Sequence, residues 1–324
     1  MLKIGIVGAG GMGTVHYSNY KHIDHCEVVA LVGFSEQDQI RSQEWNLPLY
    51  SSITEMITNQ DIDVVDVCTP TFLHKANVLE SIGHKKHTIV EKPMTLSKAD
   101  AQEMMEMAKK NNCLLFVAQV LQFTKEVGIL RELVAKETFG KPLDAYFERL
   151  SASPQWAQGG WLFDKSKSGL LPFDLHIHDL DLIVSLFGKP EQVQVFGNKR
   201  EESSYVEHYR MIYTYPKVNV VAEAAWFHAS IPFRAQWRIV FENAVVIYDG
   251  SSLIAYPYQE DPIHYNIEDE NLIATGINVP PTGWYYNELT HFLTCIEENK
   301  KTPYVSDEQL LSVLEVLEEI NKNT

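Results

Sequence analysis

Over the first third of the chain, short β-branched runs alternate with stretches of helical spacing. Ile4–Val7, Val28–Val32, Val64–Cys68, Thr88–Val90 and Leu114–Val117 are largely apolar, the pattern of strands buried on both faces of a parallel sheet. Between them, helices are predicted near 13–23, 36–45, 73–84 and 97–111. The last opens on Ser97-Lys98-Ala99-Asp100, where the hydroxyl can satisfy an orphan N–H. Strand–helix alternation with short connections predicts a doubly wound parallel sheet.

The pattern changes after about residue 123. From 190 to 260 it becomes strand-like with turn punctuation: Gln192–Phe196, His208–Tyr215, Val218–Phe227, Gln236–Phe241 and Ala244–Tyr248, with reversals at Pro216-Lys217 and Glu242-Asn243. Consecutive strands this close are expected to pair antiparallel, because a parallel return needs a crossover. Trp226, Phe227, Trp237, Phe241 and Tyr248 suit a broad sheet face. A helix over 307–321 closes the chain. The expected organisation is an α/β nucleotide-binding domain over 1–122 and an α+β domain with a large, mostly antiparallel open sheet over 123–324. The last helix is the element free to pack back on the first domain.

Composition narrows the function classes. The chain has 324 residues, 45% apolar and 22% charged, which suits two folded domains and argues against extended disorder. Its net charge of −16 argues against nucleic acid or an anionic membrane as partner. Cys26, Cys68, Cys113 and Cys295 have no paired spacing, so neither a disulfide framework nor a zinc site is expected. The chain opens directly into Leu2–Val7, which leaves no room for a secretory signal, and no apolar run approaches the roughly 20 residues of a membrane span. A soluble, cytoplasmic protein is expected.

The candidate chemistry begins at Gly8-Ala9-Gly10-Gly11-Met12-Gly13, a G-x-G-x-x-G turn that follows an apolar strand and opens a helix. Gly8 permits the tight turn, Gly10 lets a pyrophosphate approach the backbone, and Gly13 lets helix and strand close up. The helix N-terminus favours the negative charge. The pattern predicts a dinucleotide; a structural turn, FAD or S-adenosylmethionine are the other readings. An acid that binds the ribose is expected about 20 residues on. Gly33 stands there, followed by Phe34-Ser35-Glu36. Glu36 and Asp38 are the acids at hand to substitute, while Ser35 and Arg41 are placed to receive a 2′-phosphate, so NAD and NADP both stay open.

Cys68-Thr69-Pro70-Thr71-Phe72-Leu73-His74 and Glu91-Lys92-Pro93 follow two further strands, at the carboxyl ends where open α/β sheets bind ligands. An isolated lysine is usually a solvated charge, but Lys92 ends a buried strand and Pro93 biases it to extended backbone. Pro172-Phe173-Asp174-Leu175-His176-Ile177-His178-Asp179-Leu180-Asp181 is the densest cluster of titratable groups. On a straight helix Phe173, Ile177, Leu180 and Val184 form an apolar stripe. Asp174, His178 and Asp181 share another face, with His176 about 200° from Asp174. A carboxylate beside an imidazole is general acid–base equipment. His176 and His178 diverge on a helix, so no metal site is expected.

Together these motifs resemble the glucose–fructose oxidoreductase, inositol dehydrogenase and MocA family. Cys68-Thr69-Pro70 with His74, Glu91-Lys92-Pro93, Asp174-x-x-Ile177-His178-Asp179-x-Asp181 and Tyr286-Asn287-Glu288-Leu289-Thr290-His291-Phe292 stand in that family's order and spacing. The resemblance implies a Rossmann domain, a substrate domain whose open sheet often serves oligomerisation, and a homodimer or homotetramer. It also implies hydride transfer between NAD or NADP and a sugar, polyol or cyclitol. It places Lys92, Asp174 and His178 at catalytic positions. Gly8, Ala9, Gly10, Gly11, Met12, Gly13, Phe34, Ser35, Thr69, Pro70, His74, Glu91 and Lys92 are expected along the cofactor, with His74 and Glu91 at its nicotinamide end. Gln122, Trp156, Trp161 and Tyr286 are substrate candidates, and core packing is the plain alternative for the two tryptophans. Gln122 stands where many members have Arg, Gly33 where they have an acid, and Leu170 where they have a second glycine. Two rival functions share the fold: a non-catalytic sensor that keeps the cofactor, and an NAD-dependent glycosidase that recycles it.

Overall fold

The computed structural model describes residues 1–155, 158–276 and 280–323. In chain order the first elements are β1 (Leu2–Val7), α1 (Gly11–Tyr20), β2 (Cys26–Val32), α2 (Glu36–Trp45), β3 (Leu49–Tyr50) and α3 (Ile53–Asn59). Then come β4 (Val64–Val67), α4 (His74–Gly83), β5 (His87–Glu91), α5 (Lys98–Lys110), β6 (Leu115–Ala118) and α6 (Lys125–Ala135). β7 (Pro142–Ala152), α7 (Lys165–Ser168) and α8 (Ile177–Phe187) lead into β8 (Gln192–Asn198), β9 (His208–Thr214), β10 (Asn219–Phe227) and β11 (Arg234–Phe241). β12 (Ala244–Tyr248), β13 (Leu253–Pro257), β14 (Ile263–Tyr265), α9 (Trp284–Glu297) and α10 (Asp307–Lys322) complete the chain. Among the described residues, no helix is long and apolar enough to cross a membrane.

The chain divides into two compact units, Met1–Phe123 with Asp269–Asp307, and Thr124–Glu268 with Glu308–Thr324. A split into consecutive blocks at 122/123 is therefore replaced by an interleaved one. The reason lies in α9, whose Leu289, Phe292, Leu293 and Ile296 join the core cluster of Ile4, Ile6, Ile89 and Phe116. α9 also packs on α1. The last helix, expected as free to pack on the first domain, groups with the second unit.

In the first unit, six parallel strands run in the order β3-β2-β1-β4-β5-β6. The order reverses between β1 and β4, so the loops after these two strands diverge and leave a crevice for a ligand. Ile4–Val7 of β1 and all of β4 meet almost no water, which explains why their text is apolar but for Asp66.

The second unit carries an eight-stranded sheet, β14-β13-β12-β11-β7-β10-β9-β8, antiparallel throughout except where β10 lies parallel to β7. The expected antiparallel pairing holds for β8 with β9, β9 with β10, and β11 with β12. It fails between β10 and β11, because β7 lies between them and pairs with both. The sequence pattern hides β7. Its inward positions are Ala145, Phe147 and Arg149, and the charged Arg149 breaks the alternation an inward face normally shows.

Candidate active site

At the end of β1, Gly8 takes φ +89°, a backbone that side chains rarely adopt. A methyl group on Gly13 would lie 2.0 Å from the Gly8 carbonyl oxygen, so only glycine lets α1 start this close to the strand. Gly10 and Gly11 behave in the opposite way: a Cβ on either would meet nothing within 4 Å, and both are exposed. Gly10 is the N-cap of α1 without a side-chain cap. The turn thus offers unscreened backbone at the positive end of a helix, a cradle that fits a pyrophosphate. Ala9 is buried and Met12 half-buried behind it.

The loop after β2 is tied to this turn. Asp38, three residues into the turn that opens α2, accepts the Ala9 N–H through Oδ1 at 2.8 Å. Its Oδ2 accepts from the Phe34 and Ser35 N–H groups at 3.0 and 2.8 Å and from Ser35 Oγ at 2.7 Å. Phe34 itself is 79% exposed.

Thr69 and Pro70, after β4, are half-buried, and Asn77 Nδ2 donates to Thr69 Oγ1 at 3.1 Å. His74, fully buried, spans from this loop to the next. Its Nδ1 lies 2.8 Å from the Pro93 carbonyl and its Nε2 2.7 Å from that of Thr69. Burial holds its pKa below the usual histidine value, with the two carbonyls and Glu91 opposing. Glu91 Oε2 accepts the Lys92 N–H at 3.0 Å, and the Lys92–Pro93 peptide is cis. Lys92 remains half-buried beside its buried neighbours Glu91 and Pro93.

Beneath these loops lies a buried polar group that the motifs did not announce. His16 Nδ1 meets Asp66 Oδ2 at 2.8 Å, and its Nε2 stands 3.1 Å from Glu91 Oε1 in ionic contact. Tyr20 donates to the same Asp66 oxygen at 2.9 Å. Burial alone would lower the His16 pKa, but the Asp66 carboxylate and Cys68 hold it well above the usual value. Ligand atoms of His16, Asp66 and Cys68 lie within 4.8 Å of one another. Since His16 Nδ1 is already committed to Asp66 and burial raises the Cys68 thiol, the three read as a hydrogen-bonded set. The signal was present in the sequence: Asp66 interrupts the apolar run of β4, and a carboxylate in a buried strand needs partners.

In the second unit, Pro172–His176 forms a π-helical turn that runs straight into α8. Three buried polar contacts fix it. His176 Nε2 meets the Tyr213 hydroxyl of β9 at 2.5 Å. Asp179 accepts Arg149 Nε and Nη2 of β7 at 3.0 and 2.9 Å, and Asp181 accepts Gln309 Nε2 of α10 at 2.7 Å. Burial and the nearby Arg149 push the His176 pKa down to about 3, so the ring is neutral. Burial raises the Asp179 carboxyl, and Arg149 opposes this. From Leu171 to Val184 every residue is buried except Asp174 and His178. Asp181, three residues beyond His178 on α8, is buried and taken up by Gln309 of α10, so it does not join Asp174 and His178 as an accessible group.

The substrate candidates fare differently. Gln122 is buried in a 3-10 turn after β6, and Tyr286 is half-buried against the core cluster of the first unit. Trp161 keeps part of its surface in a 3-10 turn after Gly159 and Gly160, both at positive φ. Trp156 lies outside the described residues. Leu170 adopts φ +63°, the conformation a glycine would take more readily.

Residues 2–119 match a family described as an oxidoreductase family with an NAD-binding Rossmann fold, and residues 128–247 match the GFO/IDH/MocA C-terminal domain. The chain belongs to the GFO/IDH/MocA oxidoreductase family. Its first unit is accordingly the family's NAD-binding domain. Myo-inositol 2-dehydrogenase of Thermotoga maritima is 30% identical over 200 residues, 61% of this chain and 58% of that protein. 2,7-Anhydro-N-acetylneuraminate hydratase of Escherichia coli is 26% identical over 204 residues, 63% of this chain and 54% of that protein. The chain therefore spans little more than half the length of these relatives. In fold it is similar to UDP-N-acetylglucosamine 3-dehydrogenase of Acidithiobacillus ferrooxidans, with a TM-score of 0.82 at 19% identity over 99% of this chain and 97% of that one.

Proposed function

We propose that the protein is an NAD(P)-dependent oxidoreductase acting on a hydroxyl-bearing carbon of a sugar, polyol or cyclitol, with Lys92, Asp174 and His178 as its catalytic residues. One observation carries the reading: a helix start buried on every side leaves only a carboxylate and an imidazole accessible, four residues apart. A π turn at their base is a frequent mark of functional positions.

The bound nicotinamide supplies the hydride acceptor or donor. His178 takes the proton of the substrate hydroxyl during oxidation, and Asp174 orients neighbouring polar groups. Lys92 stabilises negative charge on the reacting oxygen. His74 and Glu91 hold the loop that carries Lys92, through the Pro93 carbonyl and the Lys92 N–H. Trp161 offers an indole face for the apolar side of a sugar ring. A homodimer or homotetramer formed through the open sheet completes the proposal. Phe196 and Ile212 are exposed on the outward face of that sheet beside a cross-strand cluster of Arg210, Glu223 and His208, and Tyr256 is exposed near its other end.

Lys92→Met and His178→Asn test the roles. Each is expected to lower kcat by about 10²- to 10³-fold while leaving NADH affinity nearly unchanged. In steady-state kinetics, His178→Asn also loses the base limb of the pH profile. Near-wild-type turnover in both variants would remove these residues from the chemistry. The hydratase relative favours a second reading, in which the same groups serve a reaction without net redox change.

A further inference from the structure

The missing acid at the end of β2 has a physical counterpart in α2. A Cβ built on Gly33 would lie 2.4 Å from Asp38 Cγ and 2.6 Å from Asp38 Oδ2. The Asp38 carboxylate thus fills the space that a side chain at position 33 would use, and only glycine there admits it. We propose that Asp38 is the specificity residue for the dinucleotide, replacing from α2 the acid absent at Gly33 and selecting NAD over NADP.

The alternative role for Asp38 is local. It forms a capping box with Ser35, which accounts for its contacts with the Ser35 N–H and hydroxyl. Capping explains neither the bond to Ala9, 29 residues away in the glycine turn, nor the coincidence with the Gly33 side-chain position. Asp38 is 7% exposed and fixed by four donors, so its charge cannot swing aside to admit a phosphate. The two groups placed to receive a 2′-phosphate are engaged elsewhere. Ser35 Oγ donates to Asp38, and Arg41 Nη1 bonds Glu44 at 2.5 Å with its guanidinium 6.0 Å from the Trp45 ring. A 2′-phosphate arriving here meets a carboxylate, and must compete with Asp38 for the Ser35 hydroxyl and with Glu44 for Arg41.

The inference rests on dinucleotide binding and needs no substrate. Fluorescence titration of the wild-type protein with NADH and with NADPH is expected to show NADH bound at least about 10-fold more tightly, the direction set by charge repulsion. Asp38→Asn keeps the shape and removes the charge, and should shrink the ratio of the two affinities by about 10-fold. Using the ratio cancels any loosening of the turn that weakens both ligands equally. Gly33→Asp alone should weaken both, by collision with Asp38. In Gly33→Asp/Asp38→Ala the acid returns to the end of β2, and the NADH preference should exceed that of Asp38→Ala. Circular dichroism checks that each variant is folded. NADPH binding as tightly as NADH to the wild type, or an unchanged ratio in folded Asp38→Asn, overturns the proposal. Binding of neither dinucleotide would overturn the cofactor reading beneath it.

Discussion

Gly10 and Gly13 serve one turn for opposite reasons, and the difference makes a clean experiment. Gly13 is required by the fold, since any side chain strikes the Gly8 carbonyl. Gly10 has open space on its Cα and is required only by what approaches it. Gly10→Val should therefore fold with a thermal midpoint close to wild type, yet lose NADH affinity by roughly 100-fold or more, equivalent to about 2.7 kcal/mol. Fluorescence titration beside thermal unfolding checks both halves, and undiminished affinity in a folded variant contradicts the pyrophosphate assignment. At this scale the glycine motif was legible because each glycine answers a steric demand. His16 was not, since its role depends on Asp66 and Glu91, which reach it only across the sheet. Asp38 appeared in the sequence as one of two candidate acids. The space beside Gly33 and the bond from Ala9 distinguish it from Glu36.

At the level of elements, the π turn and α8 show how burial sorts similar residues into different work. The segment holds two histidines and three aspartates, and periodicity on a straight helix grouped Asp174, His178 and Asp181 together. Asp179 and His176 are instead tied to β7 and β9, and Asp181 to α10. That sorting depends on β7, the strand that the sequence pattern passed over, because Arg149 occupies its inward face. His176 makes the arrangement testable by pH. Its folded pKa of about 3 lies below the ordinary histidine value of 6.5. The unfolded chain therefore binds the extra proton as pH falls, and stability is lost below about pH 6. This group alone costs about 1.4 kcal/mol per pH unit between roughly 6 and 4. His176→Gln keeps a partner for Tyr213 and removes the titration. Urea unfolding at pH 7, 5 and 4 should show a shallower acid loss in the variant than in wild type. Parallel losses would mean that His176 titrates normally and that its burial contributes nothing to the fixed helix start.

For the whole molecule, the alternation of strands and helices marked the nucleotide domain, and the aromatic strands marked the antiparallel sheet. The interleaving of the units was hidden, because α9 reads as an ordinary amphipathic helix until its stripe meets the core of Ile4, Ile6 and Phe116. The cofactor turn and Lys92 lie in the first unit, and the π turn and α8 that carry Asp174 and His178 lie in the second. The central claim, net oxidation of a polyhydroxylated substrate, is tested most directly by absorbance of the reduced nicotinamide. The protein is incubated with NAD and with NADP against a panel of polyols, sugars and cyclitols. The account predicts that at least one compound drives accumulation of reduced cofactor, and that the rate falls about 10²- to 10³-fold in Lys92→Met. A wild-type protein that binds NADH but accumulates none with any member of the panel would contradict it, pointing instead to a redox-neutral reaction or to a sensor.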